Sequence, residues 1–100
     1  MAIFAISFRI HEDSTYEERY ESLVEEIKKE ATGSSTWEET TSFFIIESTK
    51  SSKSLCDDLY NNSQILESKD ILLVINLSAK AYAQHGAPYP NTLDSFMQKR

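Results

Sequence analysis

The run DILLVINL, residues 70–77, carries five apolar side chains in succession from Ile71 to Ile75. A strand made from it has no face that can be left in water, so it fits a strand buried on both faces and calls for a layered domain. The N-terminal stretch AIFAISFRI is also extended but sided. Ile3, Ala5, Ser7 and Arg9 share one face, while Phe4, Ile6, Phe8 and Ile10 share the other, which is the core face.

Between these two strands the apolar period changes. Tyr16, Tyr20, Leu23, Val24, Ile27 and Ala31 fall on one stripe of an α-helix, with Glu18, Glu21, Glu25 and Lys29 on the solvated side. Ser14 followed by Glu17 fits a capping box at its start, and Gly33 suits the left-handed residue at its end. STWEETTSFFIIEST is rich in β-branched and aromatic residues and predicts a short strand over 36–40, a tight turn and a stronger strand over 42–48. SSKSLCDDLYNN predicts a second, shorter helix, capped by Ser51 or Ser52, with Leu55 and Leu59 inward.

The order is βαββαβ, the ferredoxin-like arrangement: an α+β sandwich with an antiparallel sheet and two helices on one face. One hundred residues make a single domain, with its core over about 2–77 and an irregular tail over 78–100. Gly86, Pro88 and Pro90 interrupt that tail, and TLDSFMQK supplies one closing turn of helix. A chain this short buries only about 60–70% of its unfolded surface, so dimerisation would add stability.

The charge is −6 and unevenly placed: 4 basic and 11 acidic residues through Thr49, then 6 basic and 5 acidic. A protein that grips duplex phosphates needs a basic surface, which this composition does not supply. The longest apolar runs are far shorter than a membrane span, and the N-terminus lacks the basic start of a signal peptide, which together place the protein in the cytoplasm. The single cysteine, Cys56, cannot make an internal disulfide and reads as a small buried hydrophobe. The only glycines are Gly33 and Gly86, too few for a glycine-rich phosphate cradle, and no nucleophile elbow or dinucleotide fingerprint is present.

FAISFRI as first strand, YEERYESLVEEIKK as first helix, a TW pair before TSFFIIEST, a helix with DDLYNN and then SKDILLVINL resemble the small SinR-like proteins. Those are relatives of the CRISPR-associated integration subunit and of virulence-associated protein D. The resemblance covers residues 2–77 and rests on order and spacing. It implies a ferredoxin-like fold, a symmetric homodimer joined through sheet edges or sheet faces and, in some members, metal-dependent cleavage of RNA or DNA. In the nuclease-active relatives an aspartate at the end of the first strand, one per subunit, holds a divalent cation. Here the matching residue is Arg9, whose guanidinium cannot ligate a metal.

The expectation is therefore a small dimeric protein without nuclease activity and without a cofactor, acting through protein contacts or weak nucleic-acid contacts. Its candidate contact residues are Arg9, Trp37, Lys50, Lys53, Tyr82 and His85. Arg9 by default pairs with nearby acidic residues. Trp37 either completes the core or anchors a partner. Lys50 and Lys53, in the polar STKSSKS stretch at a helix start, could accept a phosphate, although a simple capped turn explains the same residues. Tyr82 and His85 sit in a loop that either packs on the sheet or stacks on a base. The competing expectation is a metal-dependent ribonuclease or toxin component, with magnesium or manganese held by Asp13 and Glu12 and with His11 beside them. The acidic pair also has a simpler role, stabilising the positive end of the following helix.

Overall fold

In the computed structural model, which describes residues 1–32 and 36–99, the elements run β1 (Ala2–Arg9), α1 (Tyr16–Glu30), β2 (Trp37–Thr40), β3 (Phe43–Ser48), α2 (Ser52–Asn61), β4 (Ile71–Asn76), β5 (Ala81–His85) and α3 (Pro90–Lys99). The strands form one sheet in the order β2-β3-β1-β4-β5, and every neighbouring pair is antiparallel. This is an α+β architecture compatible with a ferredoxin-like fold.

The two faces of the sheet have different fates. Phe4, Ile6 and Phe8 of β1, Phe44 and Ile46 of β3, and Leu72 and Val74 of β4 meet Leu23 and Ile27 of α1 and Leu55, Cys56 and Leu59 of α2 in one core. Both helices thus cover the same face, as the alternation in β1 requires. The other face follows from the register. Ala5 stands between Ile45 and Ile75, and Ser7 between Phe43 and Leu73, while Ile3 is opposite Glu47 and Arg9 opposite Ile71. Neither α1 nor α2 reaches it. Ile3, Phe43, Ile45, Ile71, Leu73 and Ile75 are accordingly only half-buried, so the second apolar face of β4 lies under neither α1 nor α2, where its sequence demanded full cover on both sides.

Two local expectations are corrected. Ser14 and Glu17 do not form the capping box: Thr15 is the N-cap of α1 and makes no side-chain cap bond, while Asp13 Oδ1 accepts hydrogen bonds from the Thr15 amide (3.0 Å) and hydroxyl (3.1 Å). An aspartate folding back on the amide two residues ahead competes directly with a serine cap. The tail is not irregular either. Residues 81–85 form a fifth strand on β4 and 90–99 a full helix. The breakers Gly86, Pro88 and Pro90 lie at the joint between them, with Pro90 opening the helix, where a missing amide costs nothing. The proposed helix end at Gly33 lies outside the described residues. Ser51 does cap α2, its hydroxyl accepting from the Ser54 amide at 3.1 Å.

Candidate functional site

The end of β1 feeds a loop that reaches α1 through a cluster of charges. Arg19, on the first turn of α1, is 2% exposed and Asp70, just before β4, is 1% exposed. Arg19 Nε donates to Asp70 Oδ2 at 3.0 Å, and Nη2 donates to the carbonyl of His11 at 2.7 Å. Asp70 also accepts from the amides of His11 and Leu66, both at 2.9 Å. Burial pushes the Asp70 carboxyl up, but the two amides and the guanidinium outweigh it and hold the group below the ordinary carboxylate range.

Asp13 belongs to the same cluster. Its Oδ1 takes Arg19 Nη1 at 2.8 Å and its Oδ2 takes Lys69 Nζ at 2.6 Å, with the Thr15 bonds in addition. Lys69 first, then Arg19, holds the Asp13 carboxyl well below its usual range. A divalent cation at Asp13 would have to displace an ammonium and a guanidinium from both oxygens. Glu12 is exposed and His11 contributes its backbone, not its ring. Among the described residues no group of three or more His, Cys, Asp or Glu side chains is placed to hold a metal. The arrangement is a clamp joining β1, α1 and β4. The sequence signal for it was a charged residue on the inward stripe of α1: Arg19 lies three residues after Tyr16 and four before Leu23.

The remaining candidates do not converge on one patch. Arg9 is exposed at the end of central strand β1 and makes no ion pair among the described residues, contrary to the default expectation for it. With His11, Ser68, Lys69, Ile71 and Pro88 it lines an open cleft of about 370 Å³. Lys50 and Lys53 are neutralised locally: Lys50 bridges Glu30 (2.5 Å) and Asp58 (2.6 Å), and Lys53 pairs with Asp57 at 2.8 Å. Ordered this way they brace α2 and are not a free pair awaiting phosphate.

His85 is the last residue of β5 rather than a loop residue. Its ring stacks on Tyr60 at 4.3 Å, with Nε2 2.9 Å from Asp57 and Nδ1 3.1 Å from Glu67. These contacts dock β5 on α2. Tyr82 donates to Asp94 of α3 at 2.8 Å. Trp37 settles its two readings in favour of the surface: it is 46% exposed on β2 and packs edge-on against Phe43 at 6.2 Å. Together with Ile3, Ile45 and Glu47 it walls a shallow groove of about 320 Å³ at the β2 side of the uncovered sheet face.

Comparison of the chain with protein-family models, with curated proteins and with solved structures finds no match in any of the three. No helix among the described residues is long and apolar enough to cross a membrane.

Proposed function

We propose that this is a small protein with a ferredoxin-like βαββαβ core, of the SinR-like kind, that works as a non-catalytic homodimer through its uncovered sheet face. One observation carries the reading: the side of the sheet away from α1 and α2 presents Ile3, Phe43, Ile45, Ile71, Leu73 and Ile75 half-buried and Trp37 exposed. A continuous apolar face of this kind marks an interaction surface rather than a solvent face. The clamp around Asp13 supports the non-catalytic half, because its carboxylate already serves Lys69 and Arg19.

Sedimentation equilibrium tests the assembly. The wild type is expected to be a dimer and Leu73→Glu a folded monomer, since Leu73 stands near the centre of that face. A monomeric wild type at every concentration refutes the reading. Incubation with labelled RNA and DNA, with magnesium or manganese and with chelator, tests the chemistry: no cleavage is expected. Cleavage that chelator abolishes and Asp13→Asn removes would establish the nuclease alternative instead.

A further inference from the structure

The sheet face is not the only place where large apolar side chains reach the surface. Helix α3 has ten residues, none buried, and an isolated helix of that length is marginal in water unless a packed face supports it. Its apolar positions Leu93, Phe96 and Met97 follow the i, i+3, i+4 spacing of an amphipathic helix; Leu93 and Met97 are half-buried and Phe96 is exposed. Phe96, in the middle of that stripe, is 65% exposed, and Tyr89 before the helix is 79% exposed. The ring of Phe96 has a cation contact with Lys99 at 5.8 Å. The side-chain bond from Tyr82 to Asp94 ties α3 to β5, at one border of the sheet.

The Trp37 groove lies at the opposite border, by β2 and β3. Its rim carries an acid: Glu47 lines it, is exposed and makes no ion pair among the described residues. A four-strand offset of roughly 19 Å separates β5 from β2 at about 4.8 Å per strand. While the Tyr82–Asp94 bond holds, α3 is anchored at the far border from the groove of its own chain. A two-fold axis running along the strands, between two stacked sheets, brings the β5 border of each chain over the β2 border of the other. It offers the exposed Phe96 of α3 to the groove and Lys99 to Glu47 at its rim.

We propose that α3 of each copy docks in the Trp37 groove of a second copy, Phe96 against Trp37, Ile3 and Ile45, with Lys99 beside Glu47. This rests on the homodimer proposed above and assigns its interface. The contact is isologous: each dimer contains it twice, helix to groove and groove to helix.

Complementation tests it. Phe96→Glu spoils the helix and leaves the groove; Trp37→Glu spoils the groove and leaves the helix. Both positions are exposed, and circular dichroism checks that each variant is folded. Alone, each variant is expected to weaken its dimer by at least about 30-fold, in line with the loss of a central aromatic anchor. An equimolar mixture of the two regains one intact helix-groove contact per heterodimer. Native mass spectrometry with one variant tagged is expected to show the heterodimer well above either homodimer, and Phe96→Leu is expected to dimerise like the wild type. Equal weakness of the mixture and the separate variants overturns the proposal, as does wild-type affinity in Phe96→Glu. If Leu73→Glu is monomeric and Phe96→Glu fully dimeric, the face-mediated dimer stands and the helix docking alone fails. A wild type that is monomeric throughout overturns both.

Discussion

Replacement of Asp70 by alanine removes more than one ion pair. Its carboxylate accepts from His11 N and Leu66 N at 2.9 Å and from Arg19 Nε at 3.0 Å, with Arg19 Nη2 at 3.4 Å. Alanine leaves two backbone amides without their acceptor and a 2% exposed guanidinium short of one counter-charge. Breaking a buried pair from one side costs about 3–5 kcal/mol, against a total of about 5–15 kcal/mol for a domain of this size. At about 4–8 °C per kcal/mol, Tm should fall by at least about 12 °C. Urea and thermal unfolding followed by circular dichroism measure it. The control is Asp58→Ala, which loses a 40% exposed partner of Lys50 and should cost no more than about 1 kcal/mol. The sign with pH is fixed. Asp70 and Asp13 have folded-state values below their unfolded ones, so the stability they add is present above the unfolded carboxylate value, about 3.9, and is lost as pH falls through the lowered folded value. The wild-type and Asp70→Ala stability curves should therefore separate above about pH 5 and converge in acid. A Tm loss under about 4 °C at pH 7, near 1 kcal/mol or less, would refute the assignment of Asp70 as the centre of the clamp.

Three further outcomes are expected. Gly86 has φ +75°, and a Cβ there would lie 2.1 Å from the Asp70 carbonyl oxygen and 2.9 Å from that of Glu67; Gly86→Ala should destabilise by about 2 kcal/mol or more, and a neutral effect in denaturant titration would refute the close approach. Glu26 is 7% exposed, and burial together with neighbouring Glu30 raises its carboxyl, so the stability its protonated form contributes is present at low pH and lost as pH rises through the folded value. Glu26→Gln should then raise stability by about 0.5–1 kcal/mol at pH 7, with the gain shrinking near pH 4 in parallel melts. Burial pushes the Cys56 thiol up to about 12; a disulfide exchange reagent should label it at the rate of unfolding, and fast labelling of native protein would contradict its place in the core.

The strands and helices were legible because their faces were written in periodic apolar residues: Phe4, Ile6 and Phe8 are buried as the alternation in β1 required, and so are Leu23 and Ile27. Serine at position 51 announced the start of α2. β5 was not legible, since AYAQH offers alanine where a strand normally shows β-branched residues. The short side chain at 83 packs against the core opposite Val74, where bulk is already supplied. The clamp was only half legible. Arg19 on an apolar stripe is visible as an anomaly, but its partner stands 51 residues away, and a single sequence carries no signal that links two charges across such a separation. Asp13 was visible, and its nearest explanation, a helix-start acid, omitted the lysine and arginine that occupy it.

The shape of β2 bears on how far association can run. It is four exposed residues long, holds two glutamates, and its pairing to β3 shifts register between Trp37 and Thr40. A sheet border of that kind is a poor template for an incoming strand, because it is short, bent and charged. Growth edge to edge, chain after chain into a fibre, is discouraged at this border while the broad apolar side of the sheet stays available. In the proposed homodimer such a border would favour a closed pair over an open-ended series, with the WEET segment as the place where edge-to-edge growth stops.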